Sequence, residues 1–192
     1  MNLPDWPVDS SWCLFLDRDG VLNVKRENDY VKNLHELKII EGVPQATAWF
    51  TGIFKHLFIV TNQRGVGRKI MTMEDVNTVH GYLLEVIQQA GGRIDAVYVA
   101  PQLREENSPY RKPGTGMGLQ AKEEFPAVVF DKSIMVGDSL SDMEFGKKLG
   151  MKTVFVLNQR QQESYLSDFV DVYCQNLVDF QTALKEKLAK AE

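Results

Sequence analysis

Cysteine is scarce in this chain of 192 residues: only Cys13 and Cys174 occur, and no CxxC pair is present. With Cys13 inside an apolar run, free buried thiols in a reducing compartment are expected rather than a disulfide. The three histidines, His35, His56 and His80, are scattered without a triad arrangement, and none is assigned to catalysis. No apolar stretch approaches the roughly 18 residues that cross a bilayer. The first residues, MNLPDWPVDSSW, carry neither the basic region nor the apolar run of a signal peptide. An excess of basic charge is missing as well. The net charge of −4 argues against a broad nucleic-acid or anionic-membrane surface and leaves room for a local basic pocket. There is no internal repeat and no low-complexity segment. The expectation is a soluble cytoplasmic protein without nucleic-acid or membrane partners, a homo-oligomer being left open.

What is present is ordinary globular material, 44% apolar and 25% charged, enough for one buried core and a single domain over 1–192. Short apolar runs at 12–16, 57–60, 94–100, 134–136 and 153–156 each stop at a polar or turn residue. Continuous rather than alternating runs suit strands buried on both faces of a parallel sheet. Between them lie helical patterns over 43–55, 72–91, 141–149 and 176–191. Pro44 in the first turn suits the first of these, and Thr72 with Asp75 makes a capping box for the second. The alternation predicts an α/β fold, a doubly wound, Rossmann-like parallel sheet sandwiched by helices. The segment 101–118, PQLREENSPYRKPGTGMG, reads as a long loop of the kind that is often functional.

The stretch LFLDRDGVLN (14–23) ends an apolar strand in two aspartates, Asp17 and Asp19. Residues i and i+2 of an extended chain point to one side, so both carboxylates face one spot and disfavour each other's ionisation. Taken alone, Asp-Gly is also a common turn. In open parallel sheets, however, ligands bind beyond the carboxyl ends of the strands. Those ends carry Asp17–Gly20, Thr61–Gly65, Arg111–Pro113 and Gly137–Ser139, with Asp142 one turn later. Such a set suits phosphoryl transfer, where catalysis consists mainly of positioning and charge stabilisation. Mg²⁺ prefers hard oxygen ligands, a lysine supplies a point charge, and a hydroxyl with backbone amides can bind phosphate oxygens. One aspartate can attack phosphorus while the second moves protons. Ser139 and Ser141 read first as helix caps, with phosphate contact by Ser139 as the second reading. Trp49, Phe50 and Phe54 read as core.

In order along the chain, DRDG (17–20), Thr61, Lys112 before a proline, and GDSLSD (137–142) resemble the motifs of the haloacid dehalogenase superfamily of phosphohydrolases. The resemblance implies Asp17 as nucleophile, Asp19 as general acid/base, and Thr61 with Lys112 holding the transferring phosphate. It implies a Mg²⁺ site from Asp17, the Asp19 backbone carbonyl and Asp138, with Asp142 in the surrounding shell or capping a helix. LDRDGVLN, VTNQRGVGR, YRKPGTGM and VGDSLSDM are similar to the branch acting on heptose 1,7-bisphosphate and on histidinol phosphate. That likeness carries substrate contacts to Asn62, Gln63, Arg64, Arg111 and Lys112, and implies a small phosphorylated metabolite, a sugar bisphosphate first. Those relatives carry a zinc loop before RKP, whereas VAPQLREENSPY has no Cys or His, so no zinc is expected there. The intervals from Asp19 to Thr61 and from Thr61 to Lys112 are largely used by a helix and a strand, so no cap domain is expected. Residues 21–42 suit at most a hairpin-like flap, with 24–33 and 101–111 partly closing the site. A receiver-like phospho-acceptor domain is the competing class, and Asp19 argues against it, since such a domain needs no proton shuttle.

Overall fold

The computed structural model describes residues 3–160 and 168–190. Each apolar run becomes a strand: β1 (Cys13–Leu16), β2 (His56–Asn62), β3 (Ala96–Ala100), β4 (Ser133–Gly137) and β5 (Lys152–Val156). A sixth, β6 (Val172–Cys174), has three residues and lies at an edge, too short to give a signal in sequence. All pairings are parallel in the order β3-β2-β1-β4-β5-β6. Parallel neighbours need crossovers. Helices α1 (Val43–Ile53), a single turn α2 (Arg64–Gly67), α3 (Met73–Gln89), α4 (Gly116–Glu124) and α5 (Leu140–Leu149) lie in the connections between β1 and β5, and α6 (Leu177–Leu188) follows β6. The expected end of the tail helix, position 191, lies outside the described residues.

Alternation along the strands divides the core in two. Leu14 and Leu16 of β1 face a layer with Phe50 of α1, Leu83 of α3 and Phe180 of α6. Cys13 and Phe15 face the opposite layer, with Met117 of α4 and Phe145 of α5. Both faces of the sheet are therefore covered, which is why the strand sequences are apolar throughout.

Helix α4 corrects the loop expected over 101–118, for it begins at Gly116. Gly118 reads as a turn residue, yet its place is a close approach between helices: a Cβ there would lie 2.4 Å from Leu149 Cδ1. Residues 22–24 and 38–40 run antiparallel, with Val24 N–H donating to Lys38 at 2.8 Å and Ile40 N–H to Leu22 at 3.0 Å. That hairpin-like flap is all that the β1–α1 connection adds, and no separate cap domain occurs among the described residues. No helix is long and apolar enough to cross a membrane.

Candidate active site

The strand order reverses direction around β1, and the site lies at the carboxyl ends of β1, β2 and β4. Asp17 continues the β1–β4 ladder, its N–H bonding to the Val136 carbonyl at 2.9 Å. Lys112 arrives from the loop after β3 and is 2% exposed. Its ammonium touches Asp17 Oδ1 at 2.9 Å, Asp142 Oδ1 at 2.6 Å and the Val60 carbonyl at 2.6 Å. Burial disfavours the charge on Lys112, but Asp142 and Asp17 outweigh it and raise the pKa. The Lys112–Pro113 peptide is cis.

Oxygens of Asp17, Asp138 and Asp142 lie within 4.8 Å of one another, and all three residues are buried. Burial first, opposed by Lys112 and reinforced by Asp142, Asp138 and Asp19, carries the Asp17 pKa up to about 7. Asp138 is likewise raised, by burial first, against the pull of Lys25. Buried carboxylates crowded in this way are hard oxygen donors suited to a divalent cation such as Mg²⁺. Asp142, expected as a cap or outer partner, enters the cluster itself. Its second oxygen caps α5, accepting from Ser139 N–H at 3.0 Å and Ser139 Oγ at 2.6 Å. Ser139 is thus occupied as the helix cap.

The Asp19 carboxylate stands apart from that cluster. It accepts from Arg18 at 2.9 and 3.0 Å, from Asn23 Nδ2 at 2.9 Å and from Gln63 Nε2 at 2.9 Å. Burial would raise its pKa, but Arg18, Asn23 and Gln63 together hold it below the usual carboxylate value. Thr61 is buried, and its hydroxyl accepts from Gln63 Nε2 at 2.8 Å.

The residues expected to grip substrate fall into two groups. Asn62 spends its amide on the Lys112 backbone, accepting from the N–H at 3.0 Å and donating to the carbonyl at 3.1 Å. Gln63 is 1% exposed and spends its amide on Asp19, Thr61 and Arg18. Both amides brace the site from inside, and Asn62 also lines the cavity that holds Asp17 and Asp19. Arg64 and Arg111 lie at the rim instead. Arg64 donates to the Tyr30 hydroxyl at 3.0 Å, and Arg111 to the Gln102 carbonyl at 3.3 Å. Burial, together with the charges of Arg64 and Arg104, lowers the Arg111 pKa. Among the described residues, the ion-paired arginines include none of these three.

A cavity of about 200 Å³ is lined by Asp17, Asp19, Lys25, Tyr30, Arg111 and Asp138 among others. Beside it, a cavity of about 440 Å³ shares Arg111, Lys112 and Ser141 and adds Arg104. Several participants carry no role in the sequence analysis, Arg18, Asn23 and Tyr30 among them. Arg104 sits in a loop whose charges look solvated; Lys25, bonded to both Asp138 oxygens at 2.9 Å, sits in the irregular flap. His80, which meets Arg18, is a lone histidine on a helix. Of the last three, only Arg104 had a signal available, its place in the loop that leads into RKP.

An open parallel sheet that gathers these carboxylates, a hydroxyl and a buried lysine at its strand ends is the framework of a phosphohydrolase. The HAD-hydrolase-like family model matches residues 109–180. The D-glycero-alpha-D-manno-heptose-1,7-bisphosphate 7-phosphatase of Campylobacter jejuni is 34% identical over 175 residues, 91% of this chain and 96% of the relative. The D-glycero-beta-D-manno-heptose-1,7-bisphosphate 7-phosphatase of Neisseria meningitidis is 33% identical over 151 residues, 79% of this chain and 80% of the relative. The crystal structure of D,D-heptose 1,7-bisphosphate phosphatase from B. bronchiseptica, complexed with magnesium and phosphate, superposes with a TM-score of 0.79 at 25% identity. That match covers 92% of this chain and 99% of the other. The chain belongs to the haloacid dehalogenase-like phosphatases, in the family of these heptose bisphosphate phosphatases.

Proposed function

We propose that this phosphatase removes one phosphate from a small sugar bisphosphate, heptose 1,7-bisphosphate first, through an aspartyl phosphate on Asp17. The observation that carries the bisphosphate reading is a pair of arginines, Arg104 and Arg111, lining a cavity that adjoins the one holding Asp17, with the charge of Arg64 close enough to act on Arg111; none of the three is ion-paired among the described residues. Guanidinium groups crowded together without an ion-paired carboxylate among the described residues are suited to a second phosphate, which they bind by paired hydrogen bonds. The histidinol-phosphate reading draws no support from the relatives above.

In this reading the Asp17 carboxylate attacks phosphorus and the bond from phosphorus to the sugar oxygen breaks. Asp19 gives its proton to the leaving oxygen, then takes one from the water that cleaves the aspartyl phosphate. Because its donors hold Asp19 ionised in the free protein, it must take up that first proton as the anionic substrate docks. Lys112 and Thr61 hold the transferring group. The carboxylates of Asp17 and Asp138, with Asp142 beside them and the Asp19 backbone carbonyl, would hold Mg²⁺. When bound, the ion supplies the charge that lets a carboxylate approach an anionic phosphoryl group. The buried free thiols Cys13 and Cys174 accord with a reducing, cytoplasmic setting.

The test is kcat/KM with Mg²⁺ over both anomers of heptose 1,7-bisphosphate, heptose 7-phosphate, fructose 1,6-bisphosphate, histidinol phosphate and p-nitrophenyl phosphate. The bisphosphates are expected to lead, with Arg104→Ala and Arg64→Ala raising KM for them and leaving p-nitrophenyl phosphate nearly unchanged. Equal rates on mono- and bisphosphates would sink the proposal.

A further inference from the structure

Arg18 is fully buried and stands between the two site aspartates. A guanidinium out of contact with water is expensive unless its surroundings replace the lost hydration. Here the replacement converges on one functional group. One terminal nitrogen donates to both Asp19 oxygens, at 3.0 and 2.9 Å, and to Gln63 Oε1 at 3.2 Å. The other terminal nitrogen lies 3.2 Å from His80 Nε2. The Nε atom of Arg18 has no partner among the described residues, so the arrangement does not serve the guanidinium alone.

His80 comes from α3, whose other buried positions, Val76, Val79, Leu83 and Ile87, are apolar. A ring nitrogen facing a permanent donor has to accept, which fixes His80 as neutral with its proton on Nδ1. Burial and the Arg18 charge push its pKa down to about 3, in keeping with that tautomer. An aliphatic residue would extend the stripe of α3 but leave the Arg18 nitrogen unpartnered.

We infer that Arg18 and His80 act as a positioning pair for Asp19, the imidazole fixing the guanidinium and the guanidinium fixing the carboxylate. The inference rests on the proton-carrying role proposed for Asp19. A carboxylate that must reach the leaving oxygen in the transition state is sensitive to its orientation, and small misplacements in such sites cost up to about a hundredfold. Neither Arg18 nor His80 needs to touch the substrate.

The effect is read by comparing two leaving groups. kcat/KM reports the steps through alcohol release. An alkyl phosphate, such as the sugar phosphate substrate, needs its leaving oxygen protonated, whereas p-nitrophenolate departs without help. His80→Leu is expected to lower kcat/KM for the alkyl phosphate by about tenfold to a hundredfold, with p-nitrophenyl phosphate changed far less. His80→Gln, whose amide oxygen can accept from Arg18, is expected to restore most of the loss. Arg18→Lys, a point charge in place of the fork, is expected to show the same selective loss, and it serves should His80→Leu fail to fold. Equal losses on both substrates, or no recovery with His80→Gln, would overturn the inference. Asp19→Asn run alongside separates the two levels: if that variant shows no leaving-group selectivity, the role of Asp19 itself is wrong.

Discussion

Lys112 Nζ and Asp142 Oδ1 meet at 2.6 Å, and each side chain is 1% exposed. The same lysine touches Asp17, so Asp142 sets where the ammonium stands relative to the proposed nucleophile. Removing one partner of a buried pair costs about 3–5 kcal/mol. Asp17 remains to compensate, so Asp142→Asn is expected at the low end, about 3 kcal/mol. Urea unfolding reads that loss. Turnover is expected to fall with it, because Lys112 is then drawn toward Asp17 alone. An unchanged midpoint with full activity would mean that the pair is dispensable.

Gly20 ties the turn after β1 to the acidic end of β4. Its φ is +89°, and a Cβ built there would lie 2.3 Å from Asp138 Oδ2. Both the left-handed backbone and the close approach demand glycine. Gly20→Ala is expected to displace the Asp138 carboxylate and weaken Mg²⁺ binding by calorimetry at least tenfold, a loss of about 1.4 kcal/mol. Gly52, where a Cβ would meet nothing within 4 Å, offers the control Gly52→Ala. Wild-type affinity in Gly20→Ala would show that the turn can yield without disturbing the cluster.

How far such relationships were legible depended on their range in sequence. The strands were readable because burial on both faces writes continuous apolar runs, and the positions of Asp17, Thr61 and Asp138 followed from where those runs stop. Helix α3 announced itself through Thr72 and Asp75, whose side chains and N–H groups bond reciprocally. Contacts between distant residues left no such mark. His80 meets Arg18 across 62 positions, and its helical setting gives only a polar break in an apolar stripe. Asn62 and Gln63 were readable as site residues, but whether their amides faced ligand or brace depended on tertiary geometry. Strand β6 was hidden by its length, and the start of α4 by glycines whose role is close packing rather than turning.

Lys25 presents a separate test. Its ammonium sits 2.9 Å from both Asp138 oxygens, while its side chain is 50% exposed. A half-exposed lysine can swing away at little cost, yet in the metal-free protein it neutralises a carboxylate that a cation would need. Lys25→Met is therefore expected to tighten Mg²⁺ binding several-fold in calorimetry, because no ammonium has to be displaced. Weaker binding in that variant would mean that Lys25 supports the acidic cluster rather than competing with the ion.

The pH dependence of the metal site follows from Asp17. Burial, opposed by Lys112 and reinforced by Asp142, Asp138 and Asp19, carries its pKa from an ordinary 3.8 to about 7 in the metal-free protein. Below that value the group holds a proton that a cation must displace, so Mg²⁺ affinity is expected to rise with pH. The limit is about tenfold per unit up to neutrality, with a plateau above it. The stability of the metal-free fold should run the other way. A carboxyl raised on folding binds more protons in the native state than in the unfolded one, so its ionisation weakens the fold as pH climbs from 3.8 to about 7. Asp17→Asn removes that penalty while leaving Asp142 to pair with Lys112. Its urea midpoint should therefore gain on wild type steadily between those two values and hold a constant lead at higher pH. Parallel curves for the two proteins across that range would show that Asp17 ionises freely in the fold, and that the crowding of carboxylates around it is relieved in some other way.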